Sequence, residues 1–342
     1  MDRRRTEILM GTLVTKLKQI SLLWLEGFRE ACCFHRVITY CLRSRELAIR
    51  TGQCFLLNGF FFLGSIFILR SFIIPSLQWI LPDGCPHISP EESCSLGGIL
   101  RFYSFLRFGL VQLFYVFWFY PLYIFSFILN TIWYNDIAKY GFFAIEKGYL
   151  GTKSSSQNNL PAEQNTTDRD GKATDFEGVM IGIAEQVYSI LLLSFFFAEV
   201  YVTGLIPYIG KALNFLLLSW MYAYYCFEYK WNFSGLSLDK RLDFFESNWA
   251  FFAGFGGPCV LAIFLYSPLV SYGVMAILYP LFVMTATGTE ADKLITTQRK
   301  KWKGAGLGRI PIFVSADYLS MKVLSLFPVD ARHQQVQSTK AL

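Results

Sequence analysis

Apolar residues in this chain collect into runs long enough to cross a lipid bilayer, separated by short polar connectors. Between Gly178 and Ala286 two such runs fold back on themselves. The first goes from Val179 to Pro207 and returns over Ile209–Phe227, leaving through Glu228-Tyr229-Lys230-Trp231. The second goes from Trp249 to Tyr266, turns at Ser267-Pro268 and returns to Ala286. At ~1.5 Å per residue the arm Ile209–Phe227 is ~28 Å long, about one hydrocarbon core. The connector from Asp239 to Asn248 carries too much charge to sit in lipid. The pattern predicts an all-α integral membrane protein with about six membrane helices. Two of the pairs form helical hairpins that either cross the bilayer or only partly penetrate it.

Upstream, Cys54–Leu69 reads as the first span, ended by Arg70 and Pro75 and weakened by Asn58 and Gly59. Phe108–Tyr134 reads as the second, kinked at Pro121. Ile137–Leu150, short and charged, is expected as an interfacial helix. Near the start, Leu13, Leu17, Ile20, Trp24 and Phe28 recur at steps of three or four. That spacing suits a helix lying in the membrane interface, or a soluble helix packed on the protein's own polar face. Thr152–Asp175 has no aromatic residue and cannot offset its ordering entropy, so a disordered linker is expected there. A basic peripheral tail follows Ala286, loosely ordered over Ala316–Phe327 and disordered past Asp330. The organisation is therefore a basic segment 1–53, a first helix pair with its loop and interfacial helix 54–150, a linker 151–177, a double-hairpin unit 178–286 and a tail 287–342.

Composition agrees with lipid as the solvent: 54% hydrophobic and 18% aromatic residues, only 16% charged, and mean hydropathy +0.38. Of 31 Lys/Arg, all but Arg70, Arg101, Arg107 and Lys211 fall in 1–53, 135–178, 228–248 and 287–342. That bias predicts both termini in the cytosol. It also makes an anionic membrane face, rather than nucleic acid, the simpler partner for the +6 net charge. No apolar run with a small-residue cleavage site follows Arg3-Arg4-Arg5, so no signal peptide is expected. Asn165-Thr166-Thr167 and Asn232-Phe233-Ser234 fit the glycosylation pattern, but a cytosolic placement leaves both unmodified.

Candidate chemistry is sparse. His35, His87 and His333 stand in three separate polar regions, without metal-ligand spacing to the eight cysteines. Cys85 and Cys94 share the one sizeable loop on the non-cytosolic side, where an oxidising lumen would let them bridge; two unpaired thiols are the alternative. Cys32-Cys33 reads as a palmitoylation site or as two buried structural thiols. Glu185 and Glu199, 14 residues apart, share a face of one hairpin arm. Either Glu185 lies near the interface and Glu199 pairs inside the bundle, or the two mark an ion path. Gly254-Phe255-Gly256-Gly257-Pro258 interrupts the other hairpin's first arm. It either exposes N–H groups to an anion or lets two helices approach closely. No nucleophile with a neighbouring base is visible, so neither catalysis nor a cofactor or metal is expected.

Several blocks closely resemble the eukaryotic etoposide-induced protein 2.4 family. They are Phe197-Ala198-Glu199-Val200, Gly204-Leu205-Ile206-Pro207, the aromatic run Ser219–Trp231 ending Phe-Glu-Tyr-Lys-Trp, Phe245-Glu246-Ser247-Asn248-Trp249 and Gly254-Phe255-Gly256-Gly257-Pro258. The resemblance singles out Glu199, Gly204, Pro207, Glu228, Glu246, Asn248, Trp249, Gly254, Gly256, Gly257 and Pro258 as motif residues. It implies a non-enzymatic endoplasmic-reticulum protein acting in autophagy and, in animals, in growth suppression and cell death. Its implied partners are membrane lipids and membrane or cytosolic proteins of the autophagy machinery, with a homo-oligomer left open. The family shares a superfamily with bacterial CysZ-type sulfate permeases, whose hairpins only partly penetrate the bilayer, so anion permeation is the alternative. Those permeases bind sulfate through a Gly-Leu-Arg-like loop, and neither Gly27-Phe28-Arg29 nor Arg45–Arg50 aligns with it cleanly.

Overall fold

The computed structural model describes residues 2–80, 97–154, 174–302 and 306–326, with side chains outside 2–9, 97–100, 147–154 and 174–186. Cys85, Cys94, Asn165, most of the expected linker and the tail past 326 lie outside the described residues, as does the side chain of Glu185. Every element among the described residues is helical. The helices are α1 (Asp2–Ala31), α2 (Phe34–Arg43), α3 (Arg45–Ile80), α4 (residues 97–154), α5 (Thr174–Gly204), α6 (Gly210–Phe233), α7 (Leu238–Ser247), α8 (Trp249–Leu265), α9 (Pro268–Gly288), α10 (Ala291–Lys300) and α11 (Val314–Ser325).

Stretches within α3, α4, α5 and α9 are long and apolar enough to cross a membrane, and the bent pair α7–α8 makes a fifth candidate. This is the all-α membrane class read from the hydropathy pattern. The remaining expected arm, Ile209–Phe227, is helical but falls short in apolarity, because Lys211, Asn214 and three tyrosines dilute it. The helices break at both expected turns. The first reverses through Leu205–Ile209, and Pro268 opens α9 at the position where its missing N–H costs nothing.

The chain divides into two compact units. One gathers Cys33–Lys147 with Leu261–Gly288, the other Met1–Cys32 with Gly148–Val260 and Thr289–Leu342. The first unit is built on α3, α4 and α9. Large apolar side chains such as Phe60, Phe67, Phe105 and Phe125 point outward, while Phe62, Ile66, Leu69 and Phe119 close the interior. Ser44 ends α2 and accepts the Leu47 N–H at 3.4 Å to begin α3.

Three expectations for this unit need correction. Cys54–Leu69 is only the centre of the much longer α3. Ile137–Leu150 is no separate interfacial helix, since α4 runs through it without a break, and Ile137 is packed with Val37, Leu47, Cys54 and Met284. Pro75 lies inside a continuous helix rather than at its end, and Pro121, where a kink was expected, likewise lies within an unbroken helix. Each follows a wider π turn, in which Ile74 N–H reaches Leu69 O and Tyr120 N–H reaches Tyr115 O. Drawing the preceding residue one step further back opens the turn where the proline ring would otherwise strike a carbonyl.

In the second unit α1 is a single helix, whose expected apolar face divides. Of its five residues Leu13, Leu17 and Trp24 are exposed and Ile20 and Phe28 half-buried, while Gly27 beside them lies against the backbone of α8, where an added Cβ would fall 2.0 Å from Phe251 O. The C-terminal half of α1 is thus packed on the protein itself. Just past its end Cys32 is exposed and Cys33 half-buried, so the two are not the buried thiols of the second reading. The tail expected to be loose over Ala316–Phe327 instead forms α11, packed along α5 with Phe313 and Phe196 ring centroids 4.9 Å apart.

Candidate functional site: the Glu246–Asn248 corner

The aromatic run of α6 builds a platform under this corner. Tyr224 is fully buried, with ring centroids 5.6 Å from Trp231 and Phe245 and 5.4 Å from Phe313. Phe245 stacks on Phe252 at 4.3 Å across the joint between α7 and α8. Edge-to-face and stacked rings of this kind bury large area and fix geometry together.

On that platform the chain turns by 90° at Asn248, between Ser247 and Trp249. Asn248 serves both helix ends. Its Nδ2 donates to Phe244 O at 2.7 Å, while its own carbonyl accepts the Phe251 N–H at 3.0 Å. Its Oδ1 accepts from Arg299 Nη2 at 2.8 Å, and the same nitrogen donates to Ser247 O at 2.9 Å. An asparagine is well suited here, since it offers one acceptor and two donors on a short side chain.

Glu246 points to the other side of the corner and is almost completely buried. Its Oε2 accepts from Arg309 Nε at 2.8 Å and Nη2 at 2.6 Å, and its Oε1 accepts the Phe313 N–H at 3.0 Å. Its backbone carbonyl takes the Ile310 N–H at 3.2 Å. One residue thereby ties down residues 309–313. Arg309 also donates from Nη1 to Asp243 at 2.6 Å. Trp249 connects outward in two directions, donating from Nε1 to Gly308 O at 3.2 Å and accepting from Trp220 Nε1 at 3.0 Å.

Glu228 and Lys230 leave α6 nearby. Burial pushes the Glu228 carboxyl above its ordinary value, opposed by the charge of Arg241. Burial pulls Lys230 below its ordinary value, opposed by Glu290, and its Nζ donates to Thr289 O at 2.6 Å. Both charges are partly buried and held by neighbours rather than left to solvent.

The glycine block is closed. A Cβ on Gly254 would fall 1.9 Å from Trp24 O, and one on Gly256 would fall 1.7 Å from Ser219 O. Backbones of α1 and α6 therefore occupy the space beside α8. The expected interruption at Gly254–Pro258 is not found: α8 continues through it with Pro258 inside, and the chain breaks at Asn248 instead. Close helix approach, the second of the two readings, is what these glycines do.

Other motif residues lie apart from the corner. Gly204 and Pro207 form the first hairpin's tip, where Asn214 Nδ2 donates to Val200 O at 2.6 Å and the Ile209 N–H reaches Pro207 O at 2.8 Å. Glu199 is half-buried and makes no hydrogen bond or ion pair among the described residues, so the internal pairing expected of it is not found.

Sequence reading missed Arg299, Arg309 and Phe313, which fall in the tail and carry no local signal of the partners they meet. It also missed a buried polar cluster in the other unit. There Asn58 Nδ2 donates to Asn130 Oδ1 at 2.8 Å, and Ser126 Oγ and Asn130 Nδ2 donate to Asn58 Oδ1 at 2.6 and 3.0 Å. The available signal was a polar residue in the middle of each of two apolar spans.

A family model described as "Sulfate transporter CysZ/Etoposide-induced protein 2.4" matches residues 33–280. An Arabidopsis thaliana protein, "Protein EI24 homolog", is 65% identical over 321 residues, covering 94% of this chain and 99% of that protein. A Dictyostelium discoideum protein of the same description is 25% identical over 323 residues, covering 94% and 90%. "Ectopic P granules protein 4" of Caenorhabditis elegans is 37% identical over 82 residues, covering 24% of this chain and 26% of that protein.

Proposed function

The chain belongs to the family that joins sulfate transporter CysZ with etoposide-induced protein 2.4, and on that premise we propose that it is a non-enzymatic membrane protein of the endoplasmic reticulum. It supports macroautophagy through protein or lipid contacts, with both termini in the cytosol. One observation carries this reading. Glu246, Asn248, Trp249, Gly254 and Gly256 spend their atoms and their space on holding segments of the same unit together. An arrangement of that kind holds the corner as one rigid piece, which supports a role in contacts rather than in conformational cycling.

A null line tests the proposal. Autophagosomes should be fewer or immature, and a complementing copy should restore them unless Glu246 is replaced. Normal autophagic flux in the null line sinks the reading. The family description also names a sulfate transporter, which keeps anion permeation as the second reading. Sulfate flux into proteoliposomes holding the purified chain, lost when Gly257 alone is made bulky in a variant that melts like the parent, would favour it.

A further inference from the structure

The last described helix, α11, is built the wrong way round for water. Small residues, Ala316 and Ser320, face inward, and the helix packs along α5. Val314, Tyr318 and Met321 fall on one opposite stripe and are 59%, 67% and 57% exposed. A surface helix of a soluble domain buries its large apolar side chains instead. Small-inside and large-outside is the arrangement of a helix whose outer face meets lipid. The helix it packs on is itself a membrane-crossing candidate, and contact between Phe313 and Phe196 sets the start of α11 level with the apolar stretch Val187–Gly204.

A cavity of about 400 Å³ opens beside this stripe, within the size range of small-ligand pockets. Val314 forms part of both the stripe and the cavity wall. The rest of the wall includes Tyr188, Asp239, Asp243, Arg309 and Asp317. Arg309 is already engaged by Glu246 and Asp243. Asp317 accepts the Tyr188 hydroxyl, and neither it nor Asp239 has a basic partner among the described residues. The wall thus combines excess negative charge with one guanidinium that retains unused N–H groups, directly next to an apolar track.

We propose that this groove holds one phospholipid with a primary-amine headgroup. The ammonium donates to Asp239 and Asp317, the phosphodiester lies toward Arg309, and the acyl chains follow Val314, Tyr318 and Met321. An ammonium offers three N–H donors to those carboxylates, whereas a quaternary headgroup offers none. A basic peptide could meet the carboxylates too, but it would have no use for the outward apolar stripe. This assignment rests on the lipid-contact arm of the proposed function, and its test is independent of autophagic flux.

The full-length protein, reconstituted in nanodiscs of equal phosphatidylethanolamine and phosphatidylcholine, is released into detergent and its retained lipid is measured by native mass spectrometry. Phosphatidylethanolamine should dominate. Asp239→Asn with Asp317→Asn should reduce its excess over phosphatidylcholine by about tenfold, the loss expected from one strong charge-assisted contact. Tyr318→Glu with Met321→Glu should lower retention of both lipids, and Lys322→Gln should change neither. All variants must elute and melt like the parent, and the conservative carboxamide pair is chosen for that reason. Equal retention of the two lipids by the parent overturns the proposal. So does an undiminished preference in a well-folded carboxamide variant, or displacement of the lipid by a lysine-rich peptide that then shows no need of the stripe.

Discussion

Arg309 places two nitrogens, Nε and Nη2, on a single oxygen of Glu246, at 2.8 and 2.6 Å. The carboxylate is buried while the guanidinium is half-exposed, so the pair is asymmetric. The other Glu246 oxygen holds the Phe313 N–H. This carboxylate therefore depends on three N–H donors from two residues, 63 and 67 positions away.

Removing the exposed partner should hurt more than neutralising the buried one. Arg309→Ala leaves a charged carboxylate in the interior with only the Phe313 N–H. Its cost should approach the ~3 kcal/mol low end for broken buried pairs, since water can enter beside the vacated side chain. Glu246→Gln keeps an acceptor for Phe313 and removes the buried charge, so about 1–2 kcal/mol is expected. Thermal unfolding of the purified variants in one detergent checks the order. A milder effect for Arg309→Ala than for Glu246→Gln would contradict the asymmetry.

Neighbouring glycines should behave as opposites. Gly256→Ala forces a methyl against Ser219 O, where a Cβ would sit at 1.7 Å, and should cost at least the ~3 kcal/mol upper end of ordinary overpacking. Gly257→Ala meets nothing nearer than Trp24 Cζ2 at 3.7 Å and should be neutral, or gain up to ~1 kcal/mol from helix propensity. Melting temperatures of the two variants decide it. Equal loss in both would mean that the block acts through its backbone groups rather than through close packing.

What could be read along the chain follows from the range of each interaction. Hydropathy is a local sum, so the helical membrane class and the two helix breaks near Pro207 and Pro268 were visible in it. The glycine block was also visible, but its neighbours Trp24 and Ser219 lie far off in sequence, and only packing distinguishes a helix contact from an anion cradle. The π turns before Pro75 and Pro121 were invisible, because proline alone signals either a stop, a kink or a widened turn. Glu246 and Asn248 could be named from their block, yet Arg299 and Arg309 are ordinary basic residues of a basic tail. Nothing within ten residues of them indicates a buried acceptor.

Asn58 is the hub of the polar cluster in the unit built on α3, α4 and α9. Asn58→Leu should leave Ser126 and Asn130 short of partners in a dry interior, costing about 1–2 kcal/mol where membrane hydrogen bonds average well under 1 each. Because Asn58 and Asn130 exchange hydrogen bonds in both directions, their effects should not add. A double-mutant cycle with Asn130→Leu should show coupling of about 0.5–1.5 kcal/mol. Simple additivity would show that the two amides are not joined in the membrane.

Glu228 should make stability depend on pH in the direction opposite to most paired carboxylates. Burial raises its pKa above 4.5 in the folded chain, with Arg241 offsetting part of the rise. Between 4.5 and the raised value the folded state binds more protons than the unfolded one, so stability falls as pH increases through that interval. Below 4.5 both states are protonated and the penalty vanishes. Lys230 acts in the basic range: its pKa is lowered from 10.5, so stability rises with pH between the lowered value and 10.5. Within the acidic window the Lys230 contribution is constant, and the two can be separated. Glu228→Gln should therefore flatten the loss of stability above pH 4.5, and Arg241→Gln should extend it to higher pH. Melting curves of parent and both variants from pH 4 upward provide the comparison. A parent and Glu228→Gln pair whose melting temperatures stay parallel across that range would show that burial of Glu228 carries no proton linkage.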